Sequence, residues 1–509
     1  MTKSNFKMPQ YPESYWRDLS LPSFGKLSEH ISADIVIVGG GITGITAGYL
    51  LVKEGFKVAI LEAGQILSGT TGHTTAKVTA QHGLIYDELI SHFGLEKAKL
   101  FYEASTGALD FIRNTTKEKQ IDCDFSNEDA FMYATSDEYA KKIEKELDAY
   151  RKIGINGSLV DGIPFDISTK ATLMMRNQAQ FHPLKYLQRL LQDFVEFGGV
   201  VYENTTATDI GEGDHPVVIT RDGHRVKCKH VIAASHFPFV DMMAFYFARM
   251  HADRSYILGI KAKKDFPGGM YISADEPTRS LRYTPYNGEK LILVGGESHK
   301  TGQGIDTIKH YEALENFAEK VFGITDFPYR WSAQDLITLD KVAYIGPITS
   351  KRSNILVATG YRKWGMTNGT AAAMLLKDII LEKKNPYQEL FDPARFQADP
   401  GIKKLISINT DVAGHLIKGK LEVAPKEPSD LEIDEGAVVM VNGKRTGAYK
   451  DTDGKLHLVD TTCTHLGCET EWNHGDRTWD CPCHGSRFSY NGEVFSGPAK
   501  KPLKKVDME

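Results

Sequence analysis

Two short stretches near the C-terminal end set thiols and imidazoles at ligand spacing: Cys463-Thr464-His465-Leu466-Gly467-Cys468 and Cys481-Pro482-Cys483-His484-Gly485-Ser486. Each offers one thiolate and one imidazole. Together Cys463, His465, Cys481 and His484 fit a [2Fe–2S] cluster with cysteines on one iron and histidines on the other. The same four ligands suit zinc, but zinc leaves unexplained the second pair, Cys468 and Cys483, as well as Ser486 and the turn Gly497-Pro498-Ala499. Four of the six cysteines fall in this region, the distribution of a metal site and not of a secreted disulfide scaffold.

A second constellation lies near the start. Asp34–Val38 is an apolar run that reads as a buried parallel strand. It enters Gly39-Gly40-Gly41-Ile42-Thr43-Gly44, a G-x-G-x-x-G with Gly39, Gly41 and Gly44 in the fingerprint places. These glycines allow the tight turn, the approach of a pyrophosphate and the packing of the next helix, Thr43–Lys53. A second strand, Lys57–Leu61, ends at Glu62-Ala63, where a carboxylate can take a ribose hydroxyl pair while the helix N-terminus takes the diphosphate. This unit serves NAD and FAD alike. The loop that follows, Ser68–Ala76, carries Gly69, Thr70, His73, Thr74 and Thr75, small or hydroxyl-bearing residues with backbone donors suited to a flat ring.

Residues 33–83 resemble the D-amino-acid-oxidase-like (glycine/sarcosine-oxidase-like) superfamily of flavoproteins, and the resemblance implies FAD. Asn354–Thr359 reads as a strand leading into Gly360-Tyr361-Arg362-Lys363-Trp364-Gly365-Met366-Thr367-Asn368-Gly369 and a helix. That block resembles the closing flavin motif of the superfamily, with Gly360, Gly365, Met366 and Thr367 beside the cofactor. Thr367 or Asn368 is expected to cap the helix, whose N-terminal donors then stabilise negative charge on the reduced ring. The resemblance covers roughly residues 30–385. It implies oxidation of a C–N bond in an amine or amino acid, with Lys363 near substrate and Arg282-Tyr283 on a roof strand able to clamp a carboxylate. In some amine-oxidising relatives the histidine at the place of His73 is bound covalently to the flavin.

The C-terminal boxes resemble the Rieske family. By that resemblance Cys463 and Cys481 hold the inner iron, His465 and His484 the outer one, Cys468 and Cys483 form a disulfide, and Gly497-Pro498-Ala499 covers the cluster. Ser486 stands where the family offers a hydroxyl to a bridging sulfide. Phe488 replaces the tyrosine that bonds a ligand sulfur in high-potential members, which predicts a lower potential.

The elements that position these groups follow from pattern. The expected fold is an α/β FAD-binding Rossmann-type domain with an inserted antiparallel α+β substrate domain, then a small all-β Rieske domain. The expected divisions are an N-terminal arm (1–32), the oxidoreductase domain (33–385, substrate-side sheet roughly 240–330), a proline-bearing linker (386–428) around a weak helix at 402–419, and the Rieske unit (429–509), read as separate. Tyr86–Asn114, Asp137–Ile153 and Pro183–Phe197 read as helices, His230–Ala234 as a returning strand, and Asn287-Gly288 as a hairpin turn.

At 509 residues and 41% hydrophobic content the chain can build ordinary cores, and a net charge of −5 gives no basic footprint for nucleic acid. No run of ~18 apolar residues is present to span a bilayer, and the first residues lack the apolar core of a signal peptide. A cytoplasmic protein is expected. The whole predicts an FAD-dependent dehydrogenase in which a small amine or amino-acid-like substrate reduces FAD and electrons leave singly through the cluster to an external acceptor. The rival readings are a redox sensor or electron-transfer module without a small-molecule substrate, and a reductase fed through the cluster.

Overall fold

The computed structural model describes residues 8–211, 215–395, 398–421 and 426–507; the first seven residues of the expected arm lie outside these. The apolar runs of the fingerprint unit form the middle of a six-stranded sheet in the order Tyr344–Pro347, Ile355–Thr359, His230–Ala233, Ile35–Val38, Val58–Leu61, Val200–Tyr202, parallel except for its first member. All four residues of Ile35–Val38 and of Val58–Leu61 are buried, as strands covered on both faces require. Helix Ile42–Lys53 packs on helices Gly365–Ile380 and Pro183–Glu196. The first contact is close: a Cβ on Gly369 would lie 2.8 Å from Ile42 Cγ2.

The substrate-side sheet is larger than predicted. Its nine strands run Ile324–Thr338, Met250–Ala262, Glu289–Lys300, Arg279–Tyr286, Met270–Ser273, Ser126–Ala134, Ala171–Gln180 and Lys77–Val78, with Gly157–Leu159 beside Ala171–Gln180. It recruits residues from well upstream of 240, and Met270–Ser273 runs parallel to Ser126–Ala134, which departs from the all-antiparallel expectation. The upstream strands occupy an edge that would otherwise present unpaired backbone groups. Asn287-Gly288 makes the expected hairpin with both residues at positive φ. The helix predicted over 86–114 is broken at Gly94 (φ 83°) into Tyr86–Phe93 and Leu95–Glu118.

The segment expected to be a linker is chiefly one helix, Ala398–Leu421. Ile408, Val412 and Leu416 recur at helical spacing on its inner side, the last two packing on the cysteine-rich core of the C-terminal unit. Asp411 accepts from Lys300 and Gln303 at 3.0 Å each. Beyond it, Glu435–Val441, Lys444–Lys450 and Leu456–Asp460 form one small sheet, and Glu471–Asn473, Thr478–Asp480, Arg487–Ser489 and Val494–Ser496 another.

This C-terminal unit does not stand apart. Arg254, 1% exposed, reaches from the large sheet to Asp476 (3.1 Å) and Asp480 (3.8 Å), while Arg487 pairs with the same two acids from within the unit. Ser332 bonds both Arg254 and Asp476. Arg330 donates to the Gly475 carbonyl and Thr307 to Asn473. Two arginines and two aspartates, all nearly waterless, close the interface.

Candidate active site and metal centre

The nucleotide end is built by steric demand. Gly39 has φ 111°, and a Cβ there would sit 2.5 Å from the Ala234 carbonyl oxygen. A Cβ on Gly44 would lie 1.9 Å from the Gly39 oxygen, and one on Gly41 2.9 Å from Thr71 Oγ1. Glu62 accepts from the Gly40 and Gly64 amides at 2.8 and 2.9 Å. Burial pushes its carboxyl upward and those amides oppose the shift. Ala63 follows at the strand end. Thr71, which sequence reasoning passed over, accepts from the Ile42 amide at 3.1 Å and so caps the fingerprint helix. Thr43 and Tyr361 share a hydroxyl pair at 2.8 Å, joining the fingerprint helix to the closing motif.

The ring-side loop is held from three sides. Thr70–His73 is a short 3-10 turn after Gly69. His73 Nδ1 lies 2.9 Å from the Gly69 carbonyl, and burial pushes its pKa down to about 4. The His73 carbonyl accepts from Trp331 Nε1 at 2.9 Å and the Thr74 carbonyl from Trp16 Nε1 at 2.6 Å. Arg282 Nη1 donates to the carbonyls of Thr75 (3.0 Å) and Ala76 (2.8 Å). Gly360 has φ 76° and lies against Thr338. Helix Gly365–Ile380 begins earlier than expected, so neither Thr367 nor Asn368 is its cap. The Thr367 hydroxyl is instead bonded to the Thr79 backbone at 2.9 and 3.2 Å, while Gly365 and Met366 form the first turn.

Arg282 and Tyr283 do not form a joint clamp. Consecutive strand residues point to opposite faces. Arg282, 1% exposed, spends Nε and Nη1 on backbone carbonyls, whereas Tyr283 turns away to Glu128 at 3.2 Å. Among the described residues Lys363 acts on a carboxylate without pairing to it. Burial pushes Asp335 up to about 6, and the positive charges opposing that shift are, largest first, Lys363, Arg254 and Arg362. Asp253 lies directly across from Asp335 in the strand pair. Sequence patterning held no signal for this carboxylate pair, because the register that joins residues so far apart is a tertiary fact.

The C-terminal boxes converge. Cys463 and Cys481 are 2% and 1% exposed and lie side by side, and the His465 and His484 rings are 5.0 Å apart. Both His465 nitrogens are buried without a hydrogen-bond partner among the described residues, which suits an imidazole meant for a metal. The donor set, two thiols and two imidazoles, fits a [2Fe–2S] cluster. Cys468 and Cys483 form a disulfide. Ser486 Oγ lies beside Cys463 and accepts from the Ala499 amide at 3.1 Å. Gly497, at φ 97°, packs its loop against Ser486, and Phe488 is fully buried opposite Trp479.

The imidazole edge is covered by the other domain. Phe247 stands edge-on to His465 (5.7 Å) and His484 (5.2 Å). Asp241, 4% exposed, fixes Oδ1 on the Phe247 amide at 2.8 Å and holds Oδ2 3.5 Å from His465 Nε2. Gln334 Nε2 donates to the Gly485 carbonyl at 2.9 Å. Neither Asp241 nor Phe247 carries a sequence mark that would have found it.

A dinucleotide fingerprint with a ring-side loop under a roof sheet, joined to a Cys–His/Cys–His pocket, defines a flavoprotein oxidoreductase with a second, iron–sulfur centre. The chain belongs to the FAD dependent oxidoreductase family (DAO), which it matches over residues 34–379, and it carries a Rieske [2Fe-2S] domain over residues 420–507. FAD and a [2Fe–2S] cluster are its cofactors. It is similar to the Rieske 2Fe-2S iron-sulfur protein YhfW of Bacillus subtilis (strain 168), 53% identical over 98% of both chains. It is also similar to gamma-glutamylputrescine oxidoreductase of Escherichia coli (strain K12), 24% identical over 70% of this chain and 85% of that one. Glycine oxidase from Geobacillus kaustophilus shares the fold, with a TM-score of 0.61 and 18% identity over 72% of this chain and 99% of that one.

Proposed function

We propose that this oxidoreductase is a dehydrogenase that oxidises a C–N bond of an amine or amino-acid-like molecule and delivers the electrons singly, by way of the cluster, to an external carrier. FAD supplies two-electron acceptance and the Rieske cluster one-electron exchange. One observation carries the reading: the His484 side chain and both ring nitrogens of His465 are buried with Phe247 edge-on to the two rings, so the imidazole edge looks into the chain's own FAD domain. Strand alternation supports it, because Gln334 and Arg254 face the cluster loops while Asp335 and Asp253 leave the opposite face of the same strands.

The C–N assignment rests on the similarity to gamma-glutamylputrescine oxidoreductase and on Asp335 lying in the field of Lys363. Arg282 serves the loop that holds the ring, and substrate contact falls to Lys363 and the Asp253–Asp335 pair. The test is an anaerobic screen of amines and amino acids for flavin bleaching, followed by His484→Ala with a true substrate. Bleaching should run near the wild-type rate in that variant while turnover with a one-electron acceptor collapses. Normal turnover with the physiological acceptor would instead put the sensor reading ahead.

A further inference from the structure

Beside the covered imidazole edge, the surface of the molecule changes character. Met242 and Phe245, 59% and 55% exposed, protrude from the segment that also supplies Asp241 and Phe247. Leu466, 42% exposed, follows His465 at the tip of the first cluster loop. Helix Ala398–Leu421 reaches the same region, where Asn409 donates to the Ala248 carbonyl at 3.2 Å. Over the two turns before Asn409 it turns Ile402, Leu405 and Ile406 outward, 45%, 37% and 63% exposed. These six large apolar side chains come from three segments tied together by the contacts just given. Large exposed apolar patches of this kind mark interaction surfaces.

The charge around them is one-sided. Residues 240–249, 350–354, 401–409, 463–468 and 497–501 hold seven Lys and Arg against one carboxylate, the buried Asp241. Arg352 touches Met243, and the Lys501 carbonyl accepts from Thr464 in the cluster loop, so both cations stand at the rim. Among the described residues none of the seven makes an ion pair; Arg249 and Lys500 are spent on the Pro393 and Thr208 carbonyls, which leaves five for the rim. In a chain of net charge −5 this is a local reversal of sign.

We propose that this face binds the surface of an anionic lipid bilayer, the apolar side chains entering the interface and Lys351, Arg352, Lys403 and Lys501 meeting lipid phosphates. Apolar side chains ringed by unpaired cations are the composition of interfacial, monotopic binding. Side chains exposed at up to 63% on three separate segments favour a deformable apolar medium over a carrier protein, whose rigid surface would have to match each of them. Among the described residues no helix is long and apolar enough to cross a membrane, so the attachment is peripheral.

The test is co-sedimentation of the holoprotein with vesicles of phosphatidylglycerol and phosphatidylcholine, against vesicles of phosphatidylcholine alone. Binding should require the anionic lipid and weaken with salt. The double variant Met242→Ser/Ile406→Ser, and separately Lys351→Glu/Lys403→Glu, should each lower binding by about 10-fold, with flavin absorbance and cluster EPR unchanged as proof of folding. Wild-type protein that stays in the supernatant with both vesicle types would overturn the proposal. So would binding that both variants retain. A dimer that the serine variant dissolves, without vesicle binding, would reassign the face to a second copy of the chain. Saturable binding of an acidic one-electron carrier protein, again without vesicle binding, would reassign it to that partner.

Discussion

Gln334 and Asp335, neighbours on one strand, leave it on opposite faces. The Gln334 amide lies 2.9 Å from the Gly485 carbonyl, next to His484, while Asp335 shares the other face with Trp331, whose indole donates to the His73 carbonyl in the ring-side loop. One strand's thickness thus separates the two redox neighbourhoods.

Asp241 faces His465 Nε2 at 3.5 Å with one carboxylate oxygen unbonded. An anion at that place stabilises the oxidised cluster through its ligand. Asp241→Asn should raise the cluster midpoint potential by ~40 mV, which is about 1 kcal/mol for a one-electron couple. Potentiometric titration followed by EPR measures it, and an unchanged potential would show that the carboxylate is electrically silent.

Phe488 is fully buried in the cluster core, where a phenol could reach a ligand sulfur. Phe488→Tyr should raise the potential by a similar amount through one added hydrogen bond. A lower potential with an intact cluster spectrum would place the hydroxyl out of reach.

His73 Nδ1 is engaged by the Gly69 carbonyl, which ties the ring to its own loop. Acid precipitation should leave a yellow supernatant, with FAD released. A yellow pellet would mean a covalent bond to the protein.

Arg282 holds the Thr75 and Ala76 carbonyls, so its loss should act on cofactor retention. Arg282→Leu should purify with well under half the flavin of wild type while KM in the loaded fraction stays within about twofold, since uniform substrate binding is untouched. A large rise in KM at full flavin content would restore the carboxylate-clamp reading.

Arg254 pairs with Asp476 and Asp480 across the domain boundary. Arg254→Ala leaves two buried carboxylates sharing Arg487, a cost toward the lower end of about 3–5 kcal/mol. Limited proteolysis should then cut between the domains much faster than in wild type, with flavin still bound.

The parts legible in the sequence were those whose chemistry is local. Gly39 and Gly44 are demanded by backbone contacts within one turn and its strand neighbour, and Cys463 with His465 or Cys481 with His484 are fixed by spacing alone. Asp241, Phe247 and the Asp253–Asp335 pair become meaningful only through contacts between segments distant in the chain, which periodicity does not encode. The helix Ala398–Leu421 was underread for a related reason. The prolines that flank it, Pro386, Pro393, Pro425 and Pro428, point to a tether, whereas Ile408, Val412 and Leu416 gain their value from a surface that only tertiary packing supplies.

The lid that Phe247 and Asp241 place over His465 and His484 also makes the imidazole edge a gauge of closure. A water-borne oxidant or chelator meets that edge only where the two domains part, so the rate at which such a probe attacks the cluster reports how tightly the FAD domain is seated on it.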